Sequence, residues 1–147
     1  MKILSIPLLL SLSLLGCAGT KPAGLGVKDG RFAPCPSTPN CVSSQSIDPE
    51  HAVAPLRFTT SPDQAMARLK KIITGMTRAK IVEERGSYLH AEFTSLIFRF
   101  VDDVEFYMDA DTKLIQIRSA SRVGRSDFGV NRKRVDEIRA LWHEAGS

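Results

Sequence analysis

Asp102-Asp103-Val104-Glu105-Phe106-Tyr107-Met108-Asp109-Ala110-Asp111-Thr112-Lys113-Leu114-Ile115-Gln116-Ile117-Arg118-Ser119-Ala120 reads as a β-hairpin. Val104, Phe106, Ile115 and Ile117 alternate with Asp103, Glu105, Gln116 and Arg118, the period-two pattern of strands with one face toward a core. Asp109-Ala110-Asp111-Thr112 supplies the turn. If Ala110 and Asp111 form a two-residue loop, Phe106 opposes Ile115 and Val104 opposes Ile117 on the core side. Glu105 then opposes Gln116 and Asp103 opposes Arg118 on the other side, where an Asp–Arg pair contributes up to about 1 kcal/mol.

Upstream, residues 79–85 form a strand, Gly86-Ser87 a turn, and a second strand starts at Tyr88. In it Leu89, Ala91 and Phe93 point inward and Tyr88, His90 and Glu92 outward. The apolar set of the next stretch, Leu96, Phe98 and Phe100, has the opposite parity, so a bulge or bend is expected near Thr94-Ser95. Before these strands, Ser61-Pro62-Asp63-Gln64 opens a helix: a serine N-cap, proline in the first turn and a capping-box glutamine. Met66, Leu69, Ile72, Ile73 and Met76 give it one buried face, and Gly75 and Thr77 mark its end. Residues 56–60 suit a short strand ahead of that helix. A last helix runs from about Asn131 to Glu144, with Val135, Ile138, Leu141, Trp142 and Ala145 on its core side. The order is strand, helix, four strands, helix. Consecutive strands favour an α+β antiparallel sheet with two helices on one face (β-α-β4-α), curved in a way similar to the TATA-binding-protein-like fold.

The loop between hairpin and final helix concentrates charge. Arg118, Arg122, Arg125, Arg132, Lys133, Arg134 and Arg139 share their span with only Asp127, Asp136 and Glu137. Arg132, Lys133 and Arg134 fall in the helix's first turn, where the macrodipole disfavours cations, so negative charge must offset them. Asp102, Asp103 and Glu105, with Asp127 as a local cap, could do so as an internal ion-pair network. Alternatively Arg118, Ser119, Ser121, Arg122, Arg125, Asn131 and Arg132 could surround a phosphate or carboxylate, or bind a partner. Arginines left in solvent are the third reading.

At the N-terminus Lys2 precedes the uncharged, apolar stretch 3–15 and the box Leu14-Leu15-Gly16-Cys17. This resembles a bacterial lipoprotein signal peptide, residues 1–16, whose removal leaves Cys17 as the acylated first residue. The run is short for a membrane span and contains Pro7. Several acyl chains hold a protein stably where one does not. By the same resemblance, Ala18 in place of an aspartate points to the outer membrane of a two-membrane cell, facing the periplasm. The mature chain would have 131 residues, 19 basic and 16 acidic, too mild a balance to imply nucleic acid. Residues 17–34, rich in Gly, Ala, Pro and Lys, read as a flexible tether, and 35–147 as a single domain.

Cys35 and Cys41 would meet an oxidising compartment, and a disulfide is expected between them, fixing the proline-bent segment Pro36-Ser37-Thr38-Pro39-Asn40. A metal site is the rival, but the gap exceeds the usual zinc spacing and no partner pair follows. Residues 43–55 read as loop.

The stretch Pro34-Cys35-Pro36-Ser37-Thr38-Pro39-Asn40-Cys41-Val42-Ser43-Ser44-Gln45 resembles the opening motif of the DUF1499 family. Asp102-Asp103-Val104-Glu105-Phe106 and residues 118–134 resemble its second and third motifs, and the likeness covers roughly 34–144. The resemblance implies no activity and no catalytic residue. Independently, His51, His90 and His143 have no mutual spacing that suggests a site. No Gly-x-Ser-x-Gly elbow, phosphate loop or His-Glu-x-x-His motif occurs. The expectation is a non-catalytic, membrane-tethered envelope lipoprotein without cofactor or metal. It would bind a partner protein or a small apolar or anionic ligand. The alternative is an envelope hydrolase or transferase using the acidic hairpin and the arginines.

Overall fold

The computed structural model describes residues 18–146. The proposed leader and Cys17 lie outside them. The elements in chain order are β1 Cys41–Ser43, β2 Leu56–Arg57, α1 Pro62–Gly75, β3 Ala79–Arg85, β4 Tyr88–Thr94, β5 Val101–Asp109, β6 Leu114–Ser121 and α2 Val130–Glu144. All strands join one antiparallel sheet in the order β1-β6-β5-β4-β3, and β2 also pairs with β6. The α+β class and the two helices follow the sequence pattern. The sheet has one strand more than expected: β1 occupies the C-terminal end of the cysteine segment and pairs Cys41 with Ala120 and Ser43 with Arg118.

The helices form where their signals stand. Ser61 caps α1, its hydroxyl accepting from Gln64 N while the Gln64 side chain accepts from Ser61 N, the reciprocal capping box. Ala65, Met66, Leu69 and Ile73 are its buried face. Val135, Ile138 and Trp142 are that of α2, whereas Ala145, expected there, is exposed. Both helices pack with Leu89, Ala91, Val104, Phe106, Ile115 and Ile117 into one hydrophobic core. The Trp142 indole Nε1 donates to Arg57 O at 2.9 Å, which satisfies the polar end of a buried ring.

The hairpin register differs from the expected one. Phe106 opposes Ile117, Met108 opposes Ile115 and Glu105 opposes Arg118. Asp103 therefore stands opposite Ala120, not Arg118. The turn holds four residues between the Asp109–Leu114 pair, with Lys113 at φ 57°. The Asp109 carboxylate accepts from Asp111 N and Thr112 N, and these bonds build the longer turn. A two-residue slip keeps every side chain on its face, so the core is unchanged while each cross-strand partner changes.

The second correction lies between β4 and β5. The chain leaves the sheet at Thr94 and re-enters at Val101, so the change of parity is a loop and not a bulged strand. Leu96, Ile97 and Phe98, expected in part as an inward set, are 68%, 77% and 65% exposed. The sheet's irregularity falls instead in β3, between Ile81 and Glu83.

Residues expected as a tether touch the domain. Gly26 N donates to Glu105 at 2.7 Å, Phe32 is buried, and its N–H donates to Gln45. Through Gly26 this segment reaches the sheet face opposite the helices.

Cys35 and Cys41 are bonded, with Cα atoms 5.6 Å apart. Because the loop they close is short, replacing both by alanine should cost about 2 kcal/mol. Urea unfolding measures this, and peptide mapping of unreduced protein should recover the two cysteines in one linked peptide.

Candidate functional site

Alternation in β4 and β5 places Tyr88, His90, Glu92, Asp103 and Glu105 on the sheet face away from the helices. In solvent such a row would be unremarkable, but here most of it is buried: Glu105 and His90 have no exposed surface and Asp103 is 1% exposed. β6 contributes Arg118, and Arg122 follows directly after it. Burial of charge on this scale requires partners.

Each carboxylate has one. Glu105 accepts from Tyr88 Oη at 2.9 Å, Arg118 Nη1 at 3.1 Å and the backbone of Gly26. Asp103 accepts from Arg122 Nε at 2.8 Å and Nη2 at 2.7 Å, and its Oδ1 lies 2.8 Å from His90 Nε2. The same Arg122 Nη2 donates to Glu92. Burial pushes the Tyr88 hydroxyl's pKa up, and the Glu105 charge beside it acts in the same direction, so the phenol remains a donor. Burial works against the Asp103 carboxylate, yet hydrogen bonds from Arg122 and His90 outweigh it and hold the group below its ordinary 3.8. Its bond to Asp103 raises the Arg122 pKa in turn.

His90, Glu92 and Asp103 bring ligand-type atoms within 4.8 Å of one another, a spacing a metal ion could use. Arg122 already stands among them as the cation, bonded to both carboxylates. A divalent ion would have to displace a guanidinium, so the cluster reads as an ion-pair network.

A second knot joins the three sequence motifs at the start of α2. Gly129, with φ 78°, occupies the N-cap and offers no side chain. Asp127 replaces it, accepting from Gly129 N at 2.9 Å and Asn131 N at 2.8 Å. This is the local cap the sequence pointed to. The fully buried Asn131 donates through Nδ2 to Asn40 O, Ser121 Oγ and Asp127, and its Oδ1 accepts from Ser119 Oγ and Arg134 Nη1. Arg134 Nη2 reaches Asp102 Oδ2 at 2.6 Å. Asn40 Nδ2 returns to Gly124 O at 2.7 Å.

The expected anion-binding residues therefore divide. Arg118 and Arg122 are bound to carboxylates, and Ser119, Ser121 and Asn131 to one another. Arg132 donates to Ala52 O and Glu50 O, both at 2.9 Å, and so fastens the loop after β1. Arg125 is exposed. Asp102, Asp103 and Glu105 are the acidic partners of Arg134, Arg122 and Arg118. Sequence reasoning did not count Tyr88, His90, Glu92 or Asn40 among the site residues. The first three shared the outward parity of Asp103 and Glu105, which was the available signal.

The fold and this network define an α+β domain whose polar sheet face is packed, with every carboxylate of the row paired to an arginine. Residues 31–141 match the family model for a protein of unknown function, DUF1499, and the chain belongs to that family. No curated protein and no solved structure matches it.

Glu105→Gln and Arg118→Gln should each destabilise the fold by about 3 kcal/mol, because each leaves a buried charge alone. Their double mutant should lose less than the sum, with coupling of about 1–3 kcal/mol in urea unfolding. Arg125→Gln should stay within about 0.5 kcal/mol of the parent. Asp103 has a lowered pKa, so its contribution is complete above the ordinary 3.8 and is lost as pH falls through the lower folded value. Acid unfolding should show this step, and Asp103→Asn should remove it.

Proposed function

We propose that this domain is a non-catalytic binding module of the cell envelope, tethered to the membrane through an acylated Cys17 and facing the periplasm from the outer membrane. One observation carries the non-catalytic half. Asp102, Asp103 and Glu105, the carboxylates available for acid–base work, are each held by an arginine within 2.6–3.1 Å. An envelope hydrolase or transferase would need one of them free to exchange a proton with substrate. The tether half rests on the box Leu14-Leu15-Gly16-Cys17 and the extracytoplasmic chemistry of the Cys35–Cys41 bond. Among the described residues no helix is long and apolar enough to cross a membrane.

In this reading the sheet curves in the TATA-binding-protein-like manner. Ligand enters a groove of about 510 Å³ beside the arginine loop, between the chain after β4 and the start of α2. Phe93 and Leu96 give it apolar walls, and Arg78 and Lys133 add positive charge beside Glu137, while Arg134 is paired with Asp102. Such a lining suits an apolar molecule with an anionic group.

Cys17→Ser should abolish fatty-acid labelling of the chain in its host and block lipoprotein-type processing. Labelling that survives the substitution overturns the tether.

A further inference from the structure

The loop after β4 exposes Leu96, Ile97 and Phe98 in succession, and Phe98 stacks on Phe100 with ring centroids 5.5 Å apart. Val130 lines the same groove as Leu96, and Phe128, two residues before it, is 89% exposed. The exposed apolar side chains of this loop, with Val130 across the groove, mark a contact surface. Arg78 and Lys133 also line the groove, Arg99 lies in the loop, and all three are exposed. Of the acids near the groove, Asp102 is taken by Arg134, and Glu137 is exposed. An apolar tip with a cationic rim is the composition that enters a lipid–water interface: rings among the upper acyl chains, cations at anionic headgroups.

The course of the chain supplies an independent argument. Arg122 N donates to Val101 O at 3.2 Å, so the end of β6 lies beside the start of β5, where the apolar loop returns to the sheet. Gly19 sits at that same place. With φ +71°, it approaches so closely that a Cβ would stand 2.9 Å from Arg122 Cβ and 2.9 Å from Val123 Cγ1. Gly19 is two residues from Cys17. A chain of two residues spans at most about 7 Å. An acyl group on Cys17 would therefore attach within that reach of Gly19, at the end of the domain that carries the apolar loop.

We propose that the loop 95–100, with Phe128 and the neighbouring cations, docks on the surface of an anionic bilayer and sets the domain's orientation beside its anchor. The orientation rests on the proposed tether, while the loop's contact with lipid does not. Docking would turn the groove between this loop and α2 toward the lipid and the opposite, hairpin-turn end of the sheet away from it. Ile47, 99% exposed, borders a cleft with Tyr107, Asp109 and Gln116 near that far end and serves as a reference position.

The test uses the full chain purified from host membranes and reconstituted in phosphatidylglycerol–phosphatidylethanolamine vesicles whose acyl chains are brominated. Buried Trp142 gives the background emission. Phe98→Trp should add emission that brominated lipid quenches by about half or more, because bromine quenches on contact within the interface. Ile47→Trp should add emission that is not quenched. Replacing phosphatidylglycerol by phosphatidylcholine should lower the quenching in the Phe98→Trp variant about twofold or more. Equal quenching in the two variants, or none in Phe98→Trp, overturns the proposal. So does an added emission in Phe98→Trp that is blue-shifted without lipid and depends on protein concentration, which assigns the loop to a second copy. The two readings fail separately. If mass spectrometry finds no fatty acid, the tether is lost, and the loop is judged on the same protein mixed with the same vesicles. Quenching of Phe98→Trp in excess of Ile47→Trp then supports the loop, and its absence overturns it.

Discussion

Glu105 has no exposed surface, and its carboxylate receives a phenol, a guanidinium and a backbone N–H from three distant parts of the chain. An unpaired charge at that depth costs several kcal/mol, so Tyr88, Arg118 and Gly26 must all be in place when the sheet closes. The constraint extends along the strand. Two residues away Asp103 imposes the same demand on Arg122 and His90, and Arg122 passes it to Glu92. A sheet with an apolar face against two helices could have left its other face to water. This one buries a charged row there, and the N-terminal segment reaches over it to supply Gly26.

Such a face contributes specificity more than stability. Apolar residues of the same volume would often be as stable, but they tolerate slipped registers, whereas bonded charges reject them. In the hairpin, a shift of two residues leaves Val104, Phe106, Ile115 and Ile117 on the core side and would scarcely disturb packing. It would part Glu105 from Arg118, which stand opposite each other in the observed ladder. The network and the Asp109-held turn therefore agree on one of the registers that the core accepts equally well.

The Asn131 knot does for the loops what Glu105 does for the sheet. Asn131 links the cysteine segment through Asn40, the end of β6 through Ser119 and Ser121, and the helix cap through Asp127. Arg134 extends the knot to Asp102 on β5. The three first-turn cations of α2 thus have separate fates. Arg132 fastens a loop through its carbonyls, Arg134 pairs with a carboxylate, and Lys133 lines the groove. Asp127 and Asp102 offset their unfavourable position at a helix N-terminus.

The α+β class, both helices, the capping box, the cysteine pairing and the inward faces of β4, β5 and β6 were legible in the sequence. Each follows from local chemistry: side-chain period, cap geometry and the reach of two thiols. The sequence also presented the acids and arginines of the network, and one of its readings of the loop paired them. It could not say which acid meets which arginine. That depends on turn length, set by the Asp109 carboxylate holding a four-residue loop. Nor could periodicity show that Tyr88, His90 and Glu92 belong to the network, because a polar strand face has the same pattern whether water or another segment covers it. Leu96 to Phe100 failed in the opposite sense. Their alternation is that of a strand, but no neighbouring strand remains to pair with them, and their side chains stand in the open. Alternation records which side a residue would face. Only the folded chain determines what lies on that side.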